Sequence, residues 1–174
     1  MRGIIALDID GTIVVGLKPI SEDVIKYLLS LYNQGWVFIF VTGRNFQWSQ
    51  QVLNPLPFPY YMALQNGALI MEWPNCHILS KKYLNADIFP IMESICQEEP
   101  TDYVIFSGFE FEDRCYYRPD KFQPKLLEYV MQRKTALKEE WIEVPSFDVL
   151  SQRGIVEFAS IKCFGDEASI GRIA

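Results

Sequence analysis

The sequence predicts an α/β fold, a parallel sheet with its helices followed by a distinct α+β module, and three observations predict it. Two continuous apolar runs, "GIIAL" from Gly3 to Leu7 and "WVFIFV" from Trp36 to Val41, have the texture of strands buried on both faces of a parallel sheet. A segment of helical period lies between them. Beyond about Ser80 the texture becomes mixed and more polar, which divides the chain into 1–79 and 80–174.

Each element has a local cause. Ser21 can cap a helix whose first turn carries Glu22 and Asp23, where negative charge suits the helix dipole. Val24, Ile25, Leu28, Leu29, Leu31 and Tyr32 follow helical spacing, and Gly35 can end the helix. Strand, helix, strand makes a βαβ unit, expected to cross over right-handed. The second strand runs into "TGR", Thr42 to Arg44, then a helix from about Asn45 to Leu53 and a break at Pro55, Pro57 and Pro59. "YYMAL", Tyr60 to Leu64, reads as a third strand, and Asn66-Gly67 as a turn into another that reaches Trp73. In the second part, helices are expected near Ala86 to Gln97 and Phe122 to Arg133, and β segments at Tyr103 to Ser107, Arg114 to Arg118 and Ile155 to Phe164.

Composition removes several classes of function. With 174 residues, 49% hydrophobic and 22% charged, the chain has an ordinary globular balance, enough for one domain or one domain with an insertion. Its apolar runs fall short of the roughly 18 residues a membrane span needs, and no export signal opens it, so the default is cytoplasmic. The net charge is -6 and the basic residues are scattered, which leaves no footprint for nucleic acid or an anionic membrane. A small anionic substrate needs only local positive potential. Cys76, Cys96, Cys115 and Cys163 have no CxxC spacing, and His77 lacks a second paired ligand, so reduced thiols are expected.

The chemistry is expected where the strands end, because open parallel sheets bind ligands outside their carboxyl edge. Asp8 and Asp10 follow the first strand and Thr42 follows the second. Alternation turns Asp8 and Asp10 to one side and Ile9 to the other. Two converging carboxylates raise one another's pKa or require a cation, and Mg²⁺ answers with its preference for oxygen ligands, waters and phosphate. Gly11 permits close backbone approach and offers an N–H to an anion. Thr42 adds a hydroxyl, and "TGR" adds backbone donors at a helix start. Carboxylates with a metal on one side and phosphate donors on the other read as phosphoryl-transfer chemistry.

These residues resemble a known family. "LDIDGTIV" is similar to the DxDGT first motif of the haloacid dehalogenase-like hydrolases, and "IFVTGR" to their second motif, a strand ending in Thr. "NGALI", Asn66 to Ile70, resembles an element preceding the cap in the Cof-like subgroup, and "IKCFGDEA", Ile161 to Ala168, a strand within that cap. The resemblance implies a Rossmann-like core, present in part, with an inserted α+β cap in which the chain ends. It implies Asp8 as nucleophile and Asp10 as the acid and then base. Mg²⁺ would bind at Asp8 and Asp10, through the Asp8 carboxylate and the Asp10 backbone carbonyl. Thr42 and Gly43, together with Gly11, would hold phosphate, and Arg44 and Asn66 would line the entrance. The implied activity is an Mg²⁺-dependent phosphatase acting on a small phosphorylated metabolite of the sugar-phosphate type. A phosphomutase or phosphotransferase on the same site, or a non-catalytic phosphate-binding regulatory module, is the alternative.

The family's later lysine and GDxxxD-type acidic motif have no clear counterpart. Gly165-Asp166 follows a strand with Lys162 just before it, yet the second aspartate is missing and Lys162 is too close to form a separate motif. The segment therefore reads as cap, with Asp166 as a metal ligand the less favoured alternative. On that reading the polypeptide is expected to be inactive or poorly active alone. Bland readings hold elsewhere: Arg44 suits a solvated helix start as well as a substrate contact, and the aromatics of "YYMAL", "FSGFEFEDRCYY" and "EEWIEV" suit a core.

Overall fold

A computed structural model describes residues 1–16, 18–99, 101–137 and 139–173. The chain divides into two compact units, Met1–Lys82 and Tyr83–Ala174.

In the first unit, β1 (Gly3–Asp8), β2 (Trp36–Val41) and β3 (Tyr60–Leu64) are parallel neighbours, and β4 (Leu69–Trp73) and β5 (Ile78–Lys81) extend the sheet antiparallel. Helix α1 (Glu22–Asn33) connects β1 to β2, and its cap is Ser21, whose hydroxyl accepts from the Val24 N–H at 3.4 Å. Helix α2 (Phe46–Leu53) follows β2, and its cap is Asn45, whose side-chain oxygen accepts from the Trp48 N–H at 2.9 Å. Phe38, Phe40, Met62 and Leu64 alternate along β2 and β3 and are fully or nearly fully buried. Each contributes roughly 1.5–3 kcal/mol by leaving water. Tyr32 stacks on Phe58 at 4.9 Å, and Phe40 meets Tyr60 edge-on at 5.3 Å.

Register sets the level of the strand ends. Asp8 lies opposite Val41, and Val41 opposite Ala63, so the three parallel strands finish together. The expected burial of "GIIAL" on both faces does not occur. β1 is the edge strand of the sheet; Ile5 and Leu7 are half-buried, while Ile4 is 62% exposed and Ala6 and Asp8 are exposed beside it. A continuous apolar run reports the strand and not the number of faces covered.

The second unit holds a four-stranded sheet ordered β11-β7-β8-β9, made of β7 (Tyr103–Phe106), β8 (Cys115–Tyr117), β9 (Trp141–Glu143) and β11 (Ser160–Cys163). A separate pair joins β6 (Leu84–Asn85) to β10 (Glu157–Phe158). The expected single strand from Ile155 to Phe164 is thus two strands in two sheets, divided at Ala159, whose N–H donates to the Phe106 carbonyl at 2.9 Å. Alternation along β7 feeds two cores: Tyr103 and Ile105 pack with Cys96, Tyr116 and Phe147, and Val104 and Phe106 with Cys115, Val130 and Trp141. Helix α3 (Phe89–Cys96) and the short α5 (Val149–Gln152) serve the first core and α4 (Pro124–Leu137) the second; α6 (Glu167–Ile173) ends the unit. All four cysteines are free. Among the described residues no helix is long and apolar enough to cross a membrane.

Candidate active site

Asp8 is the last residue of β1, and the chain turns at once. The Ile9 carbonyl accepts from the N–H groups of Thr12, Ile13 and Val14 at 3.3, 3.1 and 3.1 Å, and Ile9 itself is completely buried. That anchor presents Asp8 and Asp10 outward on either side of it, as alternation requires. The Thr12 hydroxyl donates to the Asp8 carboxylate at 3.4 Å.

Gly11 has a different role from the expected one. Its φ is +78°, a left-handed value that suits glycine, but its N–H donates to the Val14 carbonyl at 2.8 Å. Closing the tight turn uses the donor that was expected to face an anion. Gly11 shapes the loop, and its amide is engaged within the chain.

The loop after β2 is built against the turn after β3. The Thr42 N–H donates to the Ala63 carbonyl at 2.9 Å, the Asn66 N–H to the Thr42 carbonyl at 3.0 Å, and the Gln65 N–H to the Arg44 carbonyl at 3.0 Å. Gln65, Asn66 and Gly67 all have positive φ, so the turn is held in a conformation costly for the two non-glycine residues. The Asn66 side-chain oxygen would stand 3.0 Å from a Cβ at position 43, which keeps Gly43 small. Asn66 therefore braces the loop through its backbone and crowds Gly43 through its side chain. Thr42 is buried, and its hydroxyl oxygen accepts from the Arg44 N–H at 3.2 Å, leaving its own hydrogen to donate elsewhere.

Arg44 does not stand solvated at the helix start. Its side chain is 2% exposed and makes a fork on Asp10, Nε to Oδ2 at 2.9 Å and Nη2 to Oδ1 at 2.6 Å. The hydrogen bonds from Arg44 hold the Asp10 carboxyl below its ordinary range; partial burial pushes the other way and loses. The cation that paired carboxylates were expected to require is, at Asp10, supplied by the chain itself. Asp8 remains exposed with a carboxylate open to an external partner.

The donor set around Asp8 is all oxygen and suits a hard cation such as Mg²⁺, which takes few protein ligands and fills its remaining positions with water and phosphate. With the Asp10 side chain committed to Arg44, the Asp8 carboxylate and the Asp10 backbone carbonyl are the donors this loop offers. Among the described residues no group of three or more His, Cys, Asp and Glu side chains could hold a metal ion.

Asp166 and Lys162 have structural work in the second unit. The Asp166 carboxylate accepts from the Ser169 N–H at 2.7 Å at the start of α6, and this hydrogen bond lowers its pKa. Lys162 lies over the Phe106 ring at 4.4 Å, and burial lowers its pKa. Trp48 was not singled out in the sequence, although it is four residues after Arg44. Its ring lies 4.1 Å from the Arg44 guanidinium carbon, and its carbonyl accepts from Nη1 at 3.4 Å.

The chain is similar in sequence and in fold to known proteins. A family model described as haloacid dehalogenase-like hydrolase matches residues 5–168. A curated protein of Buchnera aphidicola subsp. Schizaphis graminum (strain Sg), named provisionally as a phosphatase, is 29% identical over 101 residues, 51% of this chain and 37% of that protein. A haloacid dehalogenase-like hydrolase from Bacteroides thetaiotaomicron shares the fold with a TM-score of 0.74 at 19% identity, over 99% of this chain and 61% of that one. A sugar phosphatase of subclass IIB in the same superfamily does so with a TM-score of 0.62 at 15% identity, over 99% and 62%. The chain thus spans less than two thirds of the length of these relatives. By its family match, this chain belongs to the haloacid dehalogenase-like hydrolases.

Proposed function

We propose that the chain carries the nucleophile-bearing part of an Mg²⁺-dependent phosphatase of Cof-like type, acting on a small phosphorylated metabolite such as a sugar phosphate. One observation supports this above the others. An exposed Asp8 carboxylate ends β1, level with the Thr42 loop at the end of β2, while the second carboxylate, Asp10, is fixed by Arg44.

In this reading an Asp8 carboxylate oxygen attacks phosphorus, an oxygen–phosphorus bond forms to give the acyl phosphate, and the bond from phosphorus to the leaving oxygen breaks. Asp10 gives that oxygen a proton and later takes one from the water that hydrolyses the aspartyl phosphate. As a carboxylate forked onto Arg44 it is prepared for the second task; the first requires the fork to loosen as the proton is held. The Thr42 hydroxyl, its acceptor side occupied by the Arg44 N–H, directs its hydrogen at a phosphate oxygen. Bound Mg²⁺, held by the Asp8 carboxylate and the Asp10 backbone carbonyl, would supply charge neutralisation for the transferring group.

The test is release of inorganic phosphate from a panel of sugar phosphates by the purified chain, with and without Mg²⁺. Turnover that needs Mg²⁺ and disappears in Asp8→Asn supports the proposal. Turnover that survives Asp8→Asn overturns the assignment of the nucleophile. Transfer to an added alcohol in preference to water would make the chain a phosphotransferase.

A further inference from the structure

We propose that Trp48 is a positioning residue for Asp10: it fixes the Arg44 guanidinium, and the guanidinium fixes the carboxylate. This rests on the reading of Asp10 as the proton carrier.

Arg44 lies just before α2, and Trp48 is in its first turn. Asn45 caps that turn by accepting from the Trp48 N–H at 2.9 Å, so the Trp48 backbone is pinned by the residue that follows Arg44. From this position Trp48 holds Arg44 in two ways. Its carbonyl accepts from Nη1 at 3.4 Å, and the guanidinium carbon sits over its ring, 4.1 Å from the ring centre. The guanidinium carbon sits over the ring, while the edge carrying Nε and Nη2 is directed at Asp10.

The geometry separates holding from binding. A guanidinium has five N–H donors in a fixed fork, so fixing its plane fixes the orientation of any carboxylate it grips in two places. Asp10 has its side chain 49% exposed and does not owe its orientation to burial. It owes it to Arg44, which is 2% exposed. Without the indole face, Arg44 keeps its charge but loses the surface that sets its plane. Asp8 and Thr42 do not depend on Trp48 in this way. Phosphate capture should therefore survive changes at Trp48, while proton transfer slows.

The test reads Arg44 directly. In the ¹⁵N-arginine-labelled chain, the Arg44 Nε–H resonance is assigned by its loss in Arg44→Lys, and its exchange with water is measured. Trp48→Leu is expected to speed that exchange about tenfold, and Trp48→Phe, which keeps an aromatic face, to restore most of the protection. Stepwise fluorination of tryptophan, which weakens the ring's negative face with little change of size, should speed it progressively and keeps the test open if Trp48→Leu does not fold. With p-nitrophenyl phosphate, Trp48→Leu is expected to lower kcat about tenfold with KM unchanged, and Trp48→Phe to recover it. Exchange that is the same in Trp48→Leu and in fluorinated protein overturns the role of Trp48, as does a loss confined to KM. Turnover that survives Asp8→Asn, together with the expected exchange series, removes the phosphatase reading and leaves Trp48 as the residue that positions Asp10.

Discussion

Asp10 and Arg44, 34 residues apart in the chain, meet in a two-pronged ion pair at 2.6 and 2.9 Å. Arg44 is buried, and its partner is half-exposed. Removing the arginine therefore costs more than an ordinary surface pair would. Arg44→Gln is expected to lower stability by about 1–2 kcal/mol, the low end for a hydrogen-bonded charge. Arg44→Lys should recover little of this, because an ammonium cannot form the fork or stack on Trp48. Urea unfolding of the three chains measures it.

The same pair sets a pH dependence. Arg44 holds the folded Asp10 carboxyl below the value of about 3.9 that an unfolded aspartate has. A depressed folded pKa contributes stability above the unfolded value, and this contribution is lost as the pH falls through the folded one. Stability from the pair should be level from pH 7 to about 5 and decline below about pH 4. Asp10→Asn should show a shallower decline in that window than the natural chain. Equal slopes in urea titrations at pH 6, 4 and 3 would show that the pair does not carry this dependence.

Much of the first unit was legible because its causes are local. Ser21 and Asn45 cap helices within a few residues of themselves, and apolar runs mark β1, β2 and β3. The placement of Asp8 and Thr42 at the ends of β1 and β2 was legible, because the apolar runs mark where the strands stop. The partner of Asp10 was not, since it depends on how the start of α2 is placed against a loop 34 residues earlier. The fate of the Gly11 amide was not either, because a glycine that frees the backbone to approach an anion also frees it to close a turn on Val14. In the second unit, β9 is three residues long, too short for a period to show, and the division at Ala159 follows from two different pairing partners.

A buried pair in the second unit makes a stronger prediction. Arg118 donates from Nε and Nη2 to Asp102 at 2.8 and 2.6 Å, and their side chains are 8% and 2% exposed. Nη1 reaches Glu93 at 2.6 Å, and the guanidinium lies 4.4 Å from the Phe147 ring centre. Asp102→Ala leaves a buried cation with only its half-exposed partner, and is expected to cost about 3–5 kcal/mol. Glu93→Gln should cost well under half as much, because water can replace that contact. Comparing denaturant midpoints of the two variants tests the ranking.

Two glycines with positive φ separate backbone strain from steric exclusion. Gly11 (φ +78°) and Gly108 (φ +94°) both have positive φ, where a side chain costs about 1–3 kcal/mol, and Gly108 lies toward the upper end because its ψ of 175° places it in a region that essentially only glycine enters. A Cβ on Gly11 would meet nothing within 4 Å, so Gly11→Ala should cost only that strain. A Cβ on Gly108 would come within 2.5 Å of the Tyr83 hydroxyl oxygen and 2.7 Å of its ring. Tyr83 cannot move aside freely, because its hydroxyl donates to Glu110 at 3.0 Å. Gly108→Ala should therefore add an overpacking cost to its strain and reach about 4 kcal/mol. Tyr83→Ala removes the obstructing ring, and in that background Gly108→Ala should fall back to the strain alone. A double-mutant cycle that found the two changes additive would show that the ring is not what excludes a side chain at position 108.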